Sequence, residues 1–434
     1  MSAAVKSKIA LQYTGAGPKI LVVNHVSAHN KGDEAIMKVM LAGFREVVPR
    51  ATVTVLSSTP TYDSIILNTR TYGDFWHTPN KYPQMVYALL IIAWAFFKRY
   101  THTSLNRIFS RGTGKILSEF EAADVVVGRG GDFFNDAYDL KSLASQCFVV
   151  LVALSLGKRV ILMAHSIGPF RRIVFMKIVG MILNKVDLIT VRGETSLAWL
   201  KTMGVNSPPV YVTADLAFLL ASASQNRVDQ ILYSEGIPVG SKPVVGFSVN
   251  RWLQYSIGSE SSDAKQGYQD LVSFMSRIVG HLTEKVGAYV IFVPNVFGFP
   301  WDDRETARDI FDELQDKNNV HLIEKEYDSE EIRGLISCFD MFIGCRMHSV
   351  IASTSVSVPS IAVSYMDKFY DIMGTLDQDS WVVDPKIVGF DGIRSKIDEI
   401  WQKREKVRKD LRRKMKNVRM LAWRNFILFK EAIG

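Results

Sequence analysis

The feature that most constrains this chain is an alternation. Short β-branched runs that end in small or polar residues are separated by stretches with helical periodicity. KILVVNHV (19–26), TVTVLSS (52–58), ADVVVGRG (123–130), RVILMAHS (159–166), VDLITVR (186–192) and VYVTADLA (210–217) form one series. After the polar segment ASASQNRVDQ (221–230) a second series follows: PVVGFSVN (243–250), AYVIFVPN (288–295), NVHLIEK (319–325), FDMFIGCR (339–346) and PSIAVSY (359–365). Helices are expected from about 33 to 48, from Tyr268 to Lys285 and from Asp302 to Lys317. Strands alternating with helices argue for parallel sheets built from βαβ units. At 434 residues the chain also exceeds what one core usually supports, about 250–300 residues. The expected fold is therefore α/β, with two Rossmann-like domains facing a cleft and a basic C-terminal helix. The first domain spans 18–222, with an apolar helical insertion near 82–100; the second spans 240–385; the helical tail spans 386–434.

Charge and composition exclude several functions. Between Lys403 and Arg424 eleven Lys/Arg face two acids, a local charge of +9. The net charge of the whole is +8, so the remainder stands at about −1. The basicity belongs to the tail, where it is either a solvated helix face or an attraction to anionic headgroups. No aromatic-rich RNA motif or DNA-reading module accompanies it, so nucleic acid is not an expected partner. Cys147, Cys338 and Cys345 lack metal-site spacing and read as reduced core thiols. The N-terminus, MSAAVKSKIALQYTGAGPKI, has no long apolar core and does not read as a secretory signal. The most apolar stretch, Met85–Phe97, is 13 residues long, too short for a bilayer span of about 20. It is either a helix buried against a sheet or one that dips into a membrane surface. A cytoplasmic location is expected, with peripheral contact at the inner face of the membrane as the second reading.

Candidate site residues fall at strand ends, where open α/β sheets bind ligands. The first strand-to-helix turn carries Asn30, Gly32 and Asp33 but lacks G-x-G-x-x-G spacing, which disfavours a dinucleotide. GRGGDFFND (128–136) packs Gly130 and Gly131 around Arg129, with Asp132 able to orient a hydroxyl; it is either an anion or sugar site or a tight β–α connection. AHSIGPF (164–170) offers Ser166 and Gly168, and Arg192 ends the next strand. A guanidinium there can grip a phosphate or carboxylate with two hydrogen bonds, or make a salt bridge. In the second half Asn250, Asn295, Lys368 and the pair Arg346 and His348 occupy corresponding ends. Arg346 and His348 flank one residue in GCRMHS, which taken alone is as consistent with packing as with chemistry.

In order and spacing these elements resemble the polysaccharide pyruvyl transferases, from about Asn24 to Asp384. The likeness rests on Asn30, Gly32 and Asp33; the glycine-rich GRGGDFFND; Ser166, Gly168 and Pro169; and Arg192 with Ser196. It continues through Asp215, Ala217 and Phe218, then Arg346 and His348, Pro359, and Tyr365 with Lys368. Arg129 and Asp132, and His165 where a glutamine is frequent, depart from the family pattern. The resemblance implies a glycosyltransferase-B-like fold and transfer of pyruvate from phosphoenolpyruvate to a sugar as a ketal. On that reading His348 is the general acid and then base, and Arg346 neutralises the donor. Arg192, Lys368, Ser166, Gly168 and Asn295 bind the donor. Asn30, Gly32, Asp33, Gly130, Gly131, Asp132 and Asn250 bind the saccharide acceptor, which can be lipid-linked. No metal or cofactor is required. The alternatives are a sugar-nucleotide-dependent glycosyltransferase of the same fold and a non-catalytic membrane-associated binding protein.

Overall fold

The computed structural model describes residues 17–77, 84–101, 109–137, 139–238, 240, 242–257, 264–298, 302–364 and 366–434. Most of the N-terminal segment read for a secretory signal, the start of the apolar insertion and Tyr365 lie outside them.

The chain folds into two parallel-sheet α/β units. The first sheet comprises β1 (Lys19–Val23), β2 (Thr52–Ser57), β3 (Arg70–Gly73), β4 (Val125–Gly128), β5 (Arg159–His165), β6 (Leu188–Val191) and β7 (Val210–Val212). Its order is β3-β2-β1-β4-β5-β6-β7, every described pairing parallel. The second comprises β8 (Val244–Ser248), β9 (Tyr289–Phe292), β10 (Val320–Leu322), β11 (Met341–Gly344), β12 (Ser360–Val363) and β13 (Val382–Val383). Its order, β10-β9-β8-β11-β12-β13, repeats the first six positions of the other sheet. Central strands such as β4, β8, β11 and β12 are buried along their whole length, as expected of strands covered by helices on both faces. Strands β3 and β13 are absent from the sequence reading. One is four residues long with no buried position and the other is two residues long, so neither carries a periodic signal.

Helix starts follow from local chemistry. Asp139 accepts from the N–H groups of Lys141 and Ser142 ahead of helix Leu140–Ser155. Asp302 does the same for helix Asp303–Glu313, and Asp328 with Glu331 forms a capping box before helix Ser329–Ile336.

The two compact units do not divide the chain as two continuous halves. The first takes Met1–Ala28, Ile36–Leu216 and Leu421–Gly434; the second takes His29–Ala35 and Ala217–Met420. The C-terminal segment Pro385–Ile433 is helical apart from a break at Gly389, whose positive φ of 60° a side-chain-bearing residue would adopt with strain. It is no solvated appendage. Ile393, Ile397, Ile400, Val407, Leu411 and Met415 make a buried stripe at three-, four- and seven-residue spacing, with the half-buried Arg404 filling the gap on the same face. Within the first unit Phe429 packs on Phe44 at 4.7 Å between centroids, and Arg159 donates to the carbonyl of Ala432 at 2.7 Å.

Candidate functional site

In each sheet the strand order reverses after its first strand, between β1 and β4 and between β8 and β11. The crevice at the carboxyl ends of two such strands is where open α/β sheets place ligands. GRGG follows β4 and GCRMHS follows β11, so each lies at one of these reversal points. The predicted residues accordingly sort into two clusters, one per unit.

In the first unit the glycines answer to backbone crowding. A Cβ on Gly130 would lie 2.6 Å from the Met163 carbonyl oxygen and 2.7 Å from that of Ala164. The amide of Ser166 donates to Gly131 O at 2.9 Å, and that of Gly168 to Phe134 O at 2.8 Å, stitching the β4 and β5 loops together. Asp132 accepts from Asn135 Nδ2 at 3.0 Å. Arg129 is fully buried, its Nε donating to Asn24 O at 3.3 Å and its guanidinium 4.9 Å from the Phe133 ring centroid. Arg192, also buried, donates through Nε to Ser166 Oγ at 2.7 Å and through Nη1 to Asp215 Oδ2 at 2.5 Å. Arg192, Ser166 and Asp215 therefore meet around one buried ion pair. His165 is buried against the Gly128 carbonyl; burial foremost, aided by the charges of Arg192 and Arg129, lowers its pKa to about 3. It is a neutral imidazole at ordinary pH.

Sequence reasoning passed over a second pair in this unit. His25 Nε2 lies 3.0 Å from Asp63 Oδ2, both side chains wholly buried. Asp63 also accepts from Ser57 Oγ and from the Ala28 amide. Burial pushes its carboxyl up, but the hydrogen bond and charge of His25, with those other donors, outweigh it and hold it below the ordinary value. His25 follows β1 directly, a position that could have singled it out.

The second cluster is built around β11. Arg346 follows the strand and His348 stands in the first turn of helix Met347–Ser355. Arg346 Nη2 donates to Asp303 Oδ1 at 2.5 Å. Asp303 is buried, and its other oxygen accepts from the amides of Asn295 and Val296 at 3.1 and 3.0 Å. Burial raises the Asp303 carboxyl, opposed by Arg346 and by those two N–H groups. The Arg346 side chain keeps 17% of its surface exposed, while its Nε is buried with no hydrogen-bond partner among the described residues. One side of the guanidinium is anchored and another donor is uncommitted. Asp303 was overlooked because WDDRETARDI reads simply as a capped helix start.

Asn30, Gly32 and Asp33, expected on the first domain, belong to this cluster. The amide of Lys31 donates to Asn295 O at 2.8 Å, and Asn30 Oδ1 accepts from the Gly32 amide at 3.0 Å and from Asn295 Nδ2 at 3.4 Å. Gly32 lies so close to the imidazole that a Cβ there would stand 2.2 Å from His348 Cγ and Nδ1. Glycine is needed for that approach. An enclosed space of about 20 Å³, bounded by Gly32, Asn295, Arg333 and His348 among others, adjoins the ring. Lys31, unremarked in the sequence, bridges Glu34 at 3.0 Å and Glu326 at 2.8 Å, and Glu34 accepts from the Ser329 amide and hydroxyl. Asn250 ties the two strand ends together, accepting from the Trp252 amide at 3.1 Å and donating to Cys345 O at 3.4 Å. Lys368 lies one strand further on, in the first turn of helix Asp367–Thr375 after β12. Cys345 is buried, and burial pushes its thiol up. Among the described residues no group of three or more His, Cys, Asp or Glu is placed to hold a metal ion.

Solved structures share the fold. The chain is similar to a glycosyltransferase from Rickettsia africae (TM-score 0.58, 13% identity, covering 96% of this chain and 98% of that one). It is equally similar to HepE of Anabaena in complex with UDP-glucose (TM-score 0.58, 11% identity, 96% and 98%). At such identities the likeness is one of fold, the glycosyltransferase-B-like pairing of parallel-sheet units. The model of the polysaccharide pyruvyl transferase family matches residues 30–367, and the chain belongs to that family. Among curated proteins it is 23% identical, over 93% of its length and 97% of that protein's, to the amylovoran biosynthesis protein AmsJ of Erwinia amylovora.

Proposed function

We propose that this chain transfers pyruvate from phosphoenolpyruvate to a saccharide of an exopolysaccharide or its precursor, forming a cyclic ketal and releasing phosphate, with the β8/β11 cluster as the donor site. Family membership and the likeness to AmsJ support a transferase of polysaccharide biosynthesis. The observation that carries the finer reading is the anchored guanidinium of Arg346 beside His348. A dianionic or trianionic donor needs a cation whose geometry is fixed before binding, and Asp303 fixes this one while 17% of the Arg346 side chain stays exposed. Lys368 supplies a further positive charge at the neighbouring strand end.

His348 lends a proton to the methylene carbon of phosphoenolpyruvate, which places oxocarbenium character on the carbon bearing the phosphate. One sugar hydroxyl attacks that carbon and gives up its proton to the imidazole. The carbon–oxygen bond to phosphate breaks, phosphate departs with its electron pair, and a second hydroxyl closes the ring as its proton is lost. Imidazole suits this exchange because its proton is readily lent and recovered near neutral pH. Gly32 sets the plane of the ring, and Asn30 with Asp33 lies on the same turn to meet the acceptor. Arg192, Ser166 and Gly168 shape the first unit rather than contribute open charge to the donor. No metal or cofactor is needed, since the arginine and lysine can neutralise the donor.

The test is incubation with labelled phosphoenolpyruvate, a panel of saccharides and EDTA. Phosphate release with a pyruvate ketal on the saccharide is expected. Turnover of a sugar nucleotide with release of a nucleoside diphosphate would instead make it a glycosyltransferase.

A further inference from the structure

The first unit carries an apolar face that neither the fold nor the proposed chemistry uses. Helix Gln84–Thr101 buries Tyr87, Ile91, Trp94 and Ala95 on one side. On the other side Met85, Leu89, Leu90, Phe96, Phe97 and Tyr100 are 38% to 76% exposed. At 100° per residue these six positions fall within one continuous stripe. The exposed polar residues of this helix, Gln84, Arg99 and Thr101, stand at its ends. Helix Ile173–Leu183 repeats the pattern with Ile173, Val174, Ile178 and Met181 exposed along one side. Both helices pack against helix Leu140–Ser155 within this unit. The three helices border a cavity of about 720 Å³, which Met85, Ala144, Phe175 and Ile178 help to line and which reaches Asn24 and His77 at the carboxyl edge of the sheet.

Charge decides what covers this face. The three helices hold no aspartate or glutamate; Lys98 is paired with Glu121 at 3.6 Å, which leaves Arg99, Lys141 and Lys177 as the exposed cations, and Arg171 and Arg172 lie just before the third. A second copy of the chain would set these cations against their own equivalents. An anionic surface satisfies them and the apolar stripes together. Among the described residues no helix is long and apolar enough to cross a membrane, so contact would be at one leaflet. We propose that helices Gln84–Thr101 and Ile173–Leu183 dock the protein on an anionic lipid bilayer, and that the cavity between them takes one hydrocarbon chain of a bilayer lipid. The basic tail is not the anchor in this account, because its apolar side is consumed inside the protein.

The test is sedimentation of the full chain with vesicles of equal parts phosphatidylcholine and phosphatidylglycerol at low salt. Wild type should pellet with them and remain in the supernatant with pure phosphatidylcholine. L89E/F96E should lose about tenfold or more of its partition, the scale expected when buried apolar contacts and screened charges act together. Met181→Glu should lose less, and Tyr233→Glu, an exposed position of the other unit, should match wild type. Leu89→Gln with Phe96→Gln serves if the charged pair perturbs the circular dichroism midpoint. A phospholipid with a photoreactive chain should label peptides spanning Ala144–Leu151 and Phe175–Ile182. Failure of wild type to pellet, unchanged partition of the stripe variants, or labelling confined elsewhere would overturn the proposal. So would a dimer in vesicle-free solution that the stripe variants dissolve, since that makes the face a contact between copies. The assay reads no catalytic step, so its outcome is separate from that of pyruvyl transfer.

Discussion

The reversal points of the two sheets share a topology, an arginine within two residues of a strand-end glycine and a nearby histidine, yet they differ in burial. At β4 and β5, Arg129, His165 and Arg192 are all closed off from solvent, the histidine is neutral, and Arg192 is matched by Asp215. At β11, Arg346 keeps part of its surface and one donor uncommitted, and His348 is only half-buried. A cation that is already matched in the interior holds loops together; one that is anchored on a single side can still meet a ligand. The same residue types therefore hold loops together in one unit and, in the proposed mechanism, carry the chemistry in the other.

The comparison breaks most sharply at Arg192. Arg192→Met removes one partner of a buried ion pair, which should destabilise the protein by about 3–5 kcal/mol in urea unfolding. Activity should fall only as the folded fraction falls. The opposite pattern is expected for His348→Ala. Its turnover should drop by about a hundredfold or more, roughly 2.7 kcal/mol of barrier, while the unfolding midpoint stays near wild type. Gly32→Ala should resemble His348→Ala more than a core variant, because the added methyl displaces the imidazole. A loss of about tenfold or more in kcat with little change in the KM for phosphoenolpyruvate is the expected split.

His165 supplies a smaller contrast, read through pH. Its folded pKa, lowered from 6.5 to about 3, means that the unfolded chain binds the proton first as pH falls. Its contribution to stability is complete above 6.5 and is lost as pH drops toward 3, by at most about 1.4 kcal/mol per unit. His165→Gln should remove that slope in unfolding measurements between pH 7 and pH 5 and leave turnover nearly intact. An unchanged slope would contradict the assignment to His165.

Much of this was legible from sequence. Each of the eleven runs read as a strand contains one, because buried parallel strands are dense in β-branched residues. The edge strands β3 and β13 were not, being short and half-solvated. The strand-end motifs also identified which loops gather, since each follows its strand directly. Partnership was harder to read. Nothing local marks Asp303 as the anchor of Arg346, 43 positions away, or places the turn at Asn30 beside His348 rather than among the first-domain loops. Such pairings arise from tertiary packing and have no periodic trace. The apolar insertion shows the same limit, for its sequence left burial and exposure as alternatives while the helix realises one on each side.

The most direct test is the rate of phosphate release from phosphoenolpyruvate with a saccharide acceptor, taken on wild type and His348→Ala at equal folded concentration. Acceptor-dependent release that forms a pyruvate ketal, lost by about a hundredfold or more in the variant, is the predicted result. Wild-type turnover in the variant would contradict it, as would release of a nucleoside diphosphate from a sugar nucleotide in place of phosphate.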